Sequence, residues 1–194
     1  MANWFEKKTV ALGVSGGISA YKAAELARLL VKQGASVFVI FSANAARFVT
    51  SLTFRALTGN PVYEKVFQDS DSSGMDHIRM AERADVFIIA PASADSIAKL
   101  SHGLADDALS AMFLAYDGPV LIAPAMNDNM WKNPAVQDNL ERLRSRGIEV
   151  LKPGEGELAC GKIGPGRLPN PEDLLKAVRK SLNRKNNLAH MRVL

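Results

Sequence analysis

The sequence predicts an α/β fold: a doubly wound, Rossmann- or flavodoxin-like parallel sheet with helices on both faces. Three observations lead there. Apolar, β-branched runs at residues 9–15, 36–41, 86–92, 120–125 and 148–151 lack polar alternation, as strands covered on both faces do. Segments of helical spacing lie between them, joined by short connections. Residues 89–92 and 122–125 both read Ile-Ala-Pro-Ala, and each copy closes an apolar run.

The elements follow in order. The strand at 9–15 is ended by Ser15-Gly16-Gly17, and a helix over about 19–33 carries Ala20, Ala23, Ala24, Ala27, Leu30 and Val31, with Gly34 as its stop. After the strand at 36–41, Ser42-Ala43-Asn44 is read as the cap of a helix running to about Thr58, before Gly59-Asn60-Pro61. Residues 60–74 form a polar loop, and a short helix near 77–83 leads to the third strand. A helix with Ile97, Ala98 and Leu100 follows Ser93 and breaks at Gly103; another covers 107–115. Beyond the fourth strand come a helix at about 134–146, the fifth strand, a long glycine- and proline-rich loop at 153–171, and a last helix at 171–182. Residues 1–182 are thus expected to form one domain. Residues 183–190 read as a linker, and Met191-Arg192-Val193-Leu194 as the start of a strand belonging to a second domain.

Composition narrows the function. A chain of 194 residues, 47% hydrophobic and 23% charged, has room for one sizeable core. The net charge of +4 owes much to Arg179, Lys180, Arg184, Lys185 and Arg192, with no interleaved aromatic residues, so no nucleic-acid partner is expected. The single cysteine, Cys160, excludes an intramolecular disulfide. The first residues lack the apolar core of a signal peptide, and no run reaches the roughly 20 apolar residues of a membrane span. A cytoplasmic protein without a membrane partner is expected. One cysteine and three scattered histidines give no metal-ligand spacing.

Four constellations could carry chemistry. Each proline removes a ladder donor and is expected to end its strand, releasing a polar segment beyond the carboxyl end, where open α/β sheets bind ligands. Gly13 to Ser19 places glycines between strand and helix, where amides and the helix terminus favour an anion. Its spacing departs from Gly-x-Gly-x-x-Gly, and the second strand ends in Phe41-Ser42 without an acidic residue, which weakens a dinucleotide and favours a mononucleotide such as FMN. Ser93 and Asp95 suit either a ligand or a helix cap. Asn127, read as having no helix of its own to cap at once, is a neutral amide able to orient a carboxylate, or else forms an Asx-turn. His77 follows the polar loop, and Cys160 sits in a glycine-rich segment able to act as a lid.

Together these residues resemble the homo-oligomeric flavin-containing cysteine decarboxylases, over roughly residues 8–182, and within them the bacterial phosphopantothenoylcysteine decarboxylases of coenzyme A biosynthesis. Ser15, Gly16, Gly17 and Ile18 match the first FMN loop, and Ser42, Ala43 and Asn44 occupy the second cofactor turn. Pro91-Ala92-Ser93-Ala94-Asp95-Ser96 is similar to Pro-Ala-Ser-Ala-Asn-Thr, with Asp95 and Ser96 as departures, of which Asp95 is common in bacterial bifunctional members. Pro124-Ala125-Met126-Asn127-Asp128-Asn129-Met130-Trp131 matches Pro-x-Met-Asn-x-x-Met-Trp, Ala159-Cys160-Gly161 falls in the substrate clamp, and His77 at the active-site histidine.

The resemblance implies an FMN enzyme that decarboxylates 4′-phospho-N-pantothenoylcysteine to 4′-phosphopantetheine. The cysteine moiety is oxidised to a thioaldehyde-type group, carbon dioxide leaves, and hydride and a proton return. Ser15 to Ile18, Ser42 to Asn44 and Ser93, Ala94, Asp95 and Ser96 would hold FMN. Ala125, Met126, Asn127, Ala159 and Cys160 would hold substrate, with His77, Asn127 and Cys160 catalytic. It also implies a homotrimer, or a dodecamer of trimers, with FMN between subunits. Alternatives are a peptidyl-cysteine decarboxylase, a flavin prenyltransferase and a non-catalytic FMN-binding regulatory subunit. Asp95 and the tail disfavour the first. The prenyltransferase would not need Asn127 or Cys160, and regulatory relatives lose the catalytic residues found here.

Overall fold

The computed structural model describes residues 4–65, 76–157, 159 and 161–189, with backbone alone at 76, 77 and 184–189. Six parallel strands form the central sheet: β1 (Thr9–Val14), β2 (Ser36–Phe41), β3 (Val62–Tyr63), β4 (Val86–Ala92), β5 (Val120–Pro124) and β6 (Glu149–Val150). Their order is β3-β2-β1-β4-β5-β6, which reverses direction between β1 and β4. The loops after those two strands diverge to opposite sides, and the crevice between them is the place such sheets offer to ligands.

Side-chain parity sorts the sheet into two cores. Val10, Leu12, Val14, Val37, Val39 and Phe41 join one cluster with Ala23, Leu26, Ala27 and Leu30 of α1 (Ala20–Lys32), Phe54 of α2 (Ser51–Thr58) and Leu174 and Val178 of α8 (Pro171–Ala189). Ala11, Phe38 and Ile40 join the other. There they meet Met80 of α3 (Asp76–Arg83), Ile97 and Leu100 of α4 (Ala94–His102), Leu109 and Met112 of α5 (Ala108–Ala115), and Leu140 and Leu143 of α7 (Pro134–Ser145). This is the period of 2 read across a sheet buried on both faces.

Helix ends follow from local chemistry. Ser93 caps α4 by accepting the Ser96 amide, and Gly103 closes it in the left-handed region at φ 73°. Asp107 caps α5 in a reciprocal box with Ser110. Asn133 caps α7, with Pro134 at its first position, where the missing amide costs nothing.

Several expectations are corrected. The helix expected from Asn44 to Thr58 is split into a single 3-10 turn at Ala45–Arg47 and α2, because Asn44 makes no side-chain cap and Thr50 is extended at ψ 150°. The 60–74 loop contains edge strand β3, too short at two residues to announce itself; residues 66–75 lie outside the described set. The 153–171 loop holds an antiparallel hairpin, β7 (Gly154–Glu157) and β8 (Ile163–Arg167), which glycine-rich sequence hides. Helix α8 runs past Leu182 through the expected linker to Ala189, since residues 183–189 contain no glycine or proline to stop it.

Pro91 does not end β4. The strand continues through Ala92 with an irregular register against β5 between Ile89 and Ala92. Val86, Ile88 and Ala90 face the first core, whereas Phe87, Ile89 and then Ala92 face the second, so the alternation skips at the proline. A residue without an amide donor sits where the ladder is interrupted.

Candidate functional site

The loop after β1 is tied to the loop after β4. The Ser15 amide and hydroxyl both donate to the Pro91 carbonyl, at 3.1 and 2.8 Å, and the hydroxyl accepts the Ser93 amide at 2.7 Å. On the other side, the Gly16 amide donates to Ser42 Oγ at 3.3 Å. A Cβ on Gly16 would stand 2.7 Å from Asn44 Cβ and 2.9 Å from its carbonyl, so the residue must be glycine. Gly17 is different: a Cβ there meets nothing within 4 Å, because it would project into open space.

That space is a cavity of about 630 Å³. One wall is Gly16, Gly17, Ile18 and Ser19 with Tyr21 and Lys22 of the first turn of α1; another is Ser93 and Ala94. Ala125, Met126, Asn127 and Met130 come from the segment after β5, and Glu157, Ala159, Gly166, Arg167 and Leu168 from the hairpin and its exit. The size falls within the ~300–1,000 Å³ of small-molecule sites.

The β5 end and the hairpin are stapled together. Ala125 donates to the Ala92 carbonyl at 3.0 Å, and Met126 to the Gly166 carbonyl at 3.0 Å. Gly166, at φ 131°, lies so close to the Met126 carbonyl that any Cβ would overlap it, while a Cβ on Gly164 would stand 3.2 Å from Asp128 Cβ. Asn127 does cap a helix, contrary to the sequence expectation: its Oδ1 accepts the Asn129 amide at 2.9 Å, opening α6 (Asp128–Lys132). That local bond has the Asx form, and the five residues of α6 are too few to show helical periodicity.

Two cations flank the cavity. Lys22 Nζ donates to the Leu168 carbonyl at 3.2 Å and Asn170 Oδ1 at 3.5 Å. Burial, and then repulsion from the Arg167 guanidinium, push its pKa below the usual lysine value. An anion bound between them would relieve that repulsion.

Of the residues singled out from sequence, Gly16, Gly17, Ile18, Ser93, Ala94, Ala125, Met126, Asn127 and Ala159 line this one cavity. Ser15 and Ser42 are buried behind it, holding the loops, and Ala43 and Asn44 are exposed beside it. Asp95 and Ser96 belong to the first turn of α4, Ser96 buried and Asp95 turned to solvent. His77 lies on α3, but its side chain and all of Cys160 are outside the described set. Sequence reasoning missed Tyr21, Lys22, Glu157 and Arg167. Tyr21 and Lys22 could have been found, since they sit three and four residues after Ile18 on the helix face opposite the buried alanines. Glu157 and Arg167 meet only through the hairpin, for which no local signal exists.

A six-stranded parallel sheet of this order, with a glycine loop facing a cavity at its reversal, defines a doubly wound α/β protein with a ligand crevice at the switch point of its sheet. The chain belongs to the flavoprotein family, whose profile matches residues 3–183. It is 44% identical over 168 residues to the coenzyme A biosynthesis bifunctional protein CoaBC of Vibrio parahaemolyticus, covering 87% of this chain and 42% of that protein. To the Bacillus subtilis protein of the same name it is 47% identical over 173 residues, covering 89% and 43%. The chain thus spans less than half the length of these relatives. Among solved structures it is similar to a mutant PPC decarboxylase complexed with pantothenoylaminoethenethiol, with TM-score 0.81, 29% identity and coverage of 90% of this chain and 98% of that one. The FMN-dependent cysteine decarboxylase SpaF is similar at TM-score 0.79 and 30% identity, covering 91% and 97%.

Proposed function

We propose that this chain binds FMN and decarboxylates 4′-phospho-N-pantothenoylcysteine to 4′-phosphopantetheine, the decarboxylase half-activity of the bifunctional relatives. One observation carries the reading: the Gly16–Gly17–Ile18 loop, the Ser93–Ala94 turn and the Ala125–Met126–Asn127 segment all face one cavity. The site fits the cofactor. Open space over Gly17 and the glycine-backed turn suit a phosphate or a ring edge that a side chain would displace. Gly16, Gly17 and Ile18, with Ser42, Ala43 and Asn44 and with Ser93, Ala94, Asp95 and Ser96, would hold FMN; Ser15 acts from behind by fixing the loops.

When bound, FMN supplies the reversible hydride acceptance that makes loss of carbon dioxide from a cysteine moiety feasible. The protein supplies orientation and protons. Asn127, its Oδ1 held by the Asn129 amide, turns the donor end of its side chain away from that bond and can orient the substrate carboxylate without neutralising it. Ala125, Met126 and Ala159 shape the wall beside it. Lys22 and Arg167 provide positive charge for the anionic ends of the substrate. Cys160 delivers the final proton to carbon, and His77 serves as base or positioning group for the thiol.

The same reading makes the assembly a cytoplasmic homotrimer, or a dodecamer of trimers, with FMN between subunits. Ile18 and Tyr21, 66% and 54% exposed at the cavity rim, are apolar surface that a second copy would cover.

The test is incubation of the purified yellow protein with 4′-phospho-N-pantothenoylcysteine, followed by mass detection of carbon dioxide loss. Cys160→Ser should accumulate the oxidised, decarboxylated intermediate. A colourless protein indifferent to FMN overturns the proposal.

A further inference from the structure

Lys99 lies on α4, behind the cavity rather than in it. Its ammonium is 3.0 Å from Asp106, 3.6 Å from Asp95 and 3.8 Å from Asp107, and its side chain is 18% exposed. Asp107 is deeply buried and fully engaged. Its Oδ1 accepts the Ser110 amide at 2.8 Å and hydroxyl at 2.7 Å, while Oδ2, the oxygen nearest Lys99, accepts the Ala43 amide at 3.2 Å.

The pair with Asp95 lies within α4, one turn apart on the same helix that residues 93–96 open. The pair with Asp107 leaves that helix, and through the Asp107 carboxylate, which accepts the Ala43 amide, the cation meets residues 42–44 after β2. Strands β2 and β4 are not neighbours, since β1 lies between them. Both segments are also tied to the loop after β1, 42–44 by the Ser42–Gly16 bond and 93–96 by the Ser93–Ser15 bond. The Lys99–Asp107–Ala43 chain adds a second link between α4 and residues 42–44.

We propose that Lys99 is a positioning residue, whose ion pair to Asp107 holds α4, and with it segment 93–96, at the separation from segment 42–44 that FMN requires. This rests on the reading that the site takes FMN. The pairs with Asp95 and Asp106, both more than half exposed, add little to folding, because exposed ion pairs are weak. The value of the Asp107 pair lies in preorganisation: segments set at the right distance before binding need not be ordered by the ligand. Lys99 is long enough to reach Asp107 and carries several donors, which a neutral side chain cannot replace.

The experiment measures FMN dissociation constants by flavin fluorescence on the full chain stripped of cofactor, with the melting temperature of each apoprotein recorded in parallel. Lys99→Met and Lys99→Gln should weaken FMN about tenfold, as loss of a charge-assisted contact does. Lys99→Arg should restore binding to within about threefold, since it keeps the charge and reach. Asp106→Asn is the control: it pairs with Lys99 but belongs to neither segment, and should leave FMN affinity unchanged. Apoprotein melting temperatures should fall in Lys99→Met and Lys99→Gln, because buried Asp107 loses its cation, so affinities are read well below each melt. Wild-type affinity in Lys99→Met and Lys99→Gln overturns the proposal. So does an FMN loss that Lys99→Arg fails to rescue or that Asp106→Asn reproduces. If the wild-type chain takes up no FMN, the functional reading fails and this inference with it.

Discussion

Ser15 and Ser93 share a hydrogen bond of 2.7 Å in which the Ser93 amide donates to the Ser15 hydroxyl, while that hydroxyl donates to the Pro91 carbonyl at 2.8 Å. A fully buried hydroxyl thus joins the two loops that flank the sheet's reversal. Ser15→Ala should leave the Ser93 amide without this partner and destabilise the fold by about 1–3 kcal/mol, measured by urea denaturation. FMN affinity should fall with it. Unchanged stability would show that the bond only accompanies the geometry.

Gly17→Val should fold normally, because a Cβ at Gly17 meets nothing within 4 Å. The valine would instead occupy the space proposed for FMN, weakening the cofactor about tenfold to hundredfold. Wild-type circular dichroism together with a colourless protein is the expected outcome. A yellow variant of normal affinity would move the cofactor elsewhere.

Gly166→Ala should act on the hairpin rather than on the core. The new methyl would overlap the Met126 carbonyl at a backbone angle, φ 131°, that alanine resists. Displacing β8 from residues 126–128 should raise KM for substrate, with FMN affinity near wild type. Equal KM values would mean that the staple has no part in binding.

Asn127→Asp separates two roles of one residue. Aspartate caps helices as well as asparagine does, so α6 should survive. A second carboxylate facing the substrate's own should lower turnover about a hundredfold or more while FMN stays bound. Loss of flavin instead would assign Asn127 to the cofactor.

Lys22 gives a pH signature. Its pKa is lowered by burial and by Arg167, so its charge is lost at a lower pH than that of an ordinary lysine. Substrate KM should therefore rise as pH climbs into the alkaline range, starting before the usual lysine value. In Lys22→Met the KM should be higher at neutral pH and this rise should vanish. An identical profile in wild type and variant would place the titrating group elsewhere.

The parallel sheet and both strand-end segments were legible because β-branched runs and helix caps are local signals: Gly103 and Asp107 did what their chemistry dictates. Elements of two to five residues were not. β3 and α6 are too short for periodicity, and the hairpin of Gly154–Glu157 and Ile163–Arg167 pairs glycine-rich strands that propensity disfavours. Lys22 and Arg167 lie 145 positions apart in the sequence, so their meeting at one cavity depends on tertiary packing. The Ile-Ala-Pro-Ala repeat pointed to the right place for an incomplete reason, since β4 passes through its proline.

That passage limits how the sheet can change. Ala90 and Ala92 stand two positions apart, yet they pack into opposite layers. Inserting or deleting one residue between Ile89 and Ser93 would reset the count, so that the chain entered α4 from the wrong layer and took the cavity wall of Ser93 and Ala94 with it. The binding face of this protein is therefore written into a residue count as much as into residue identity.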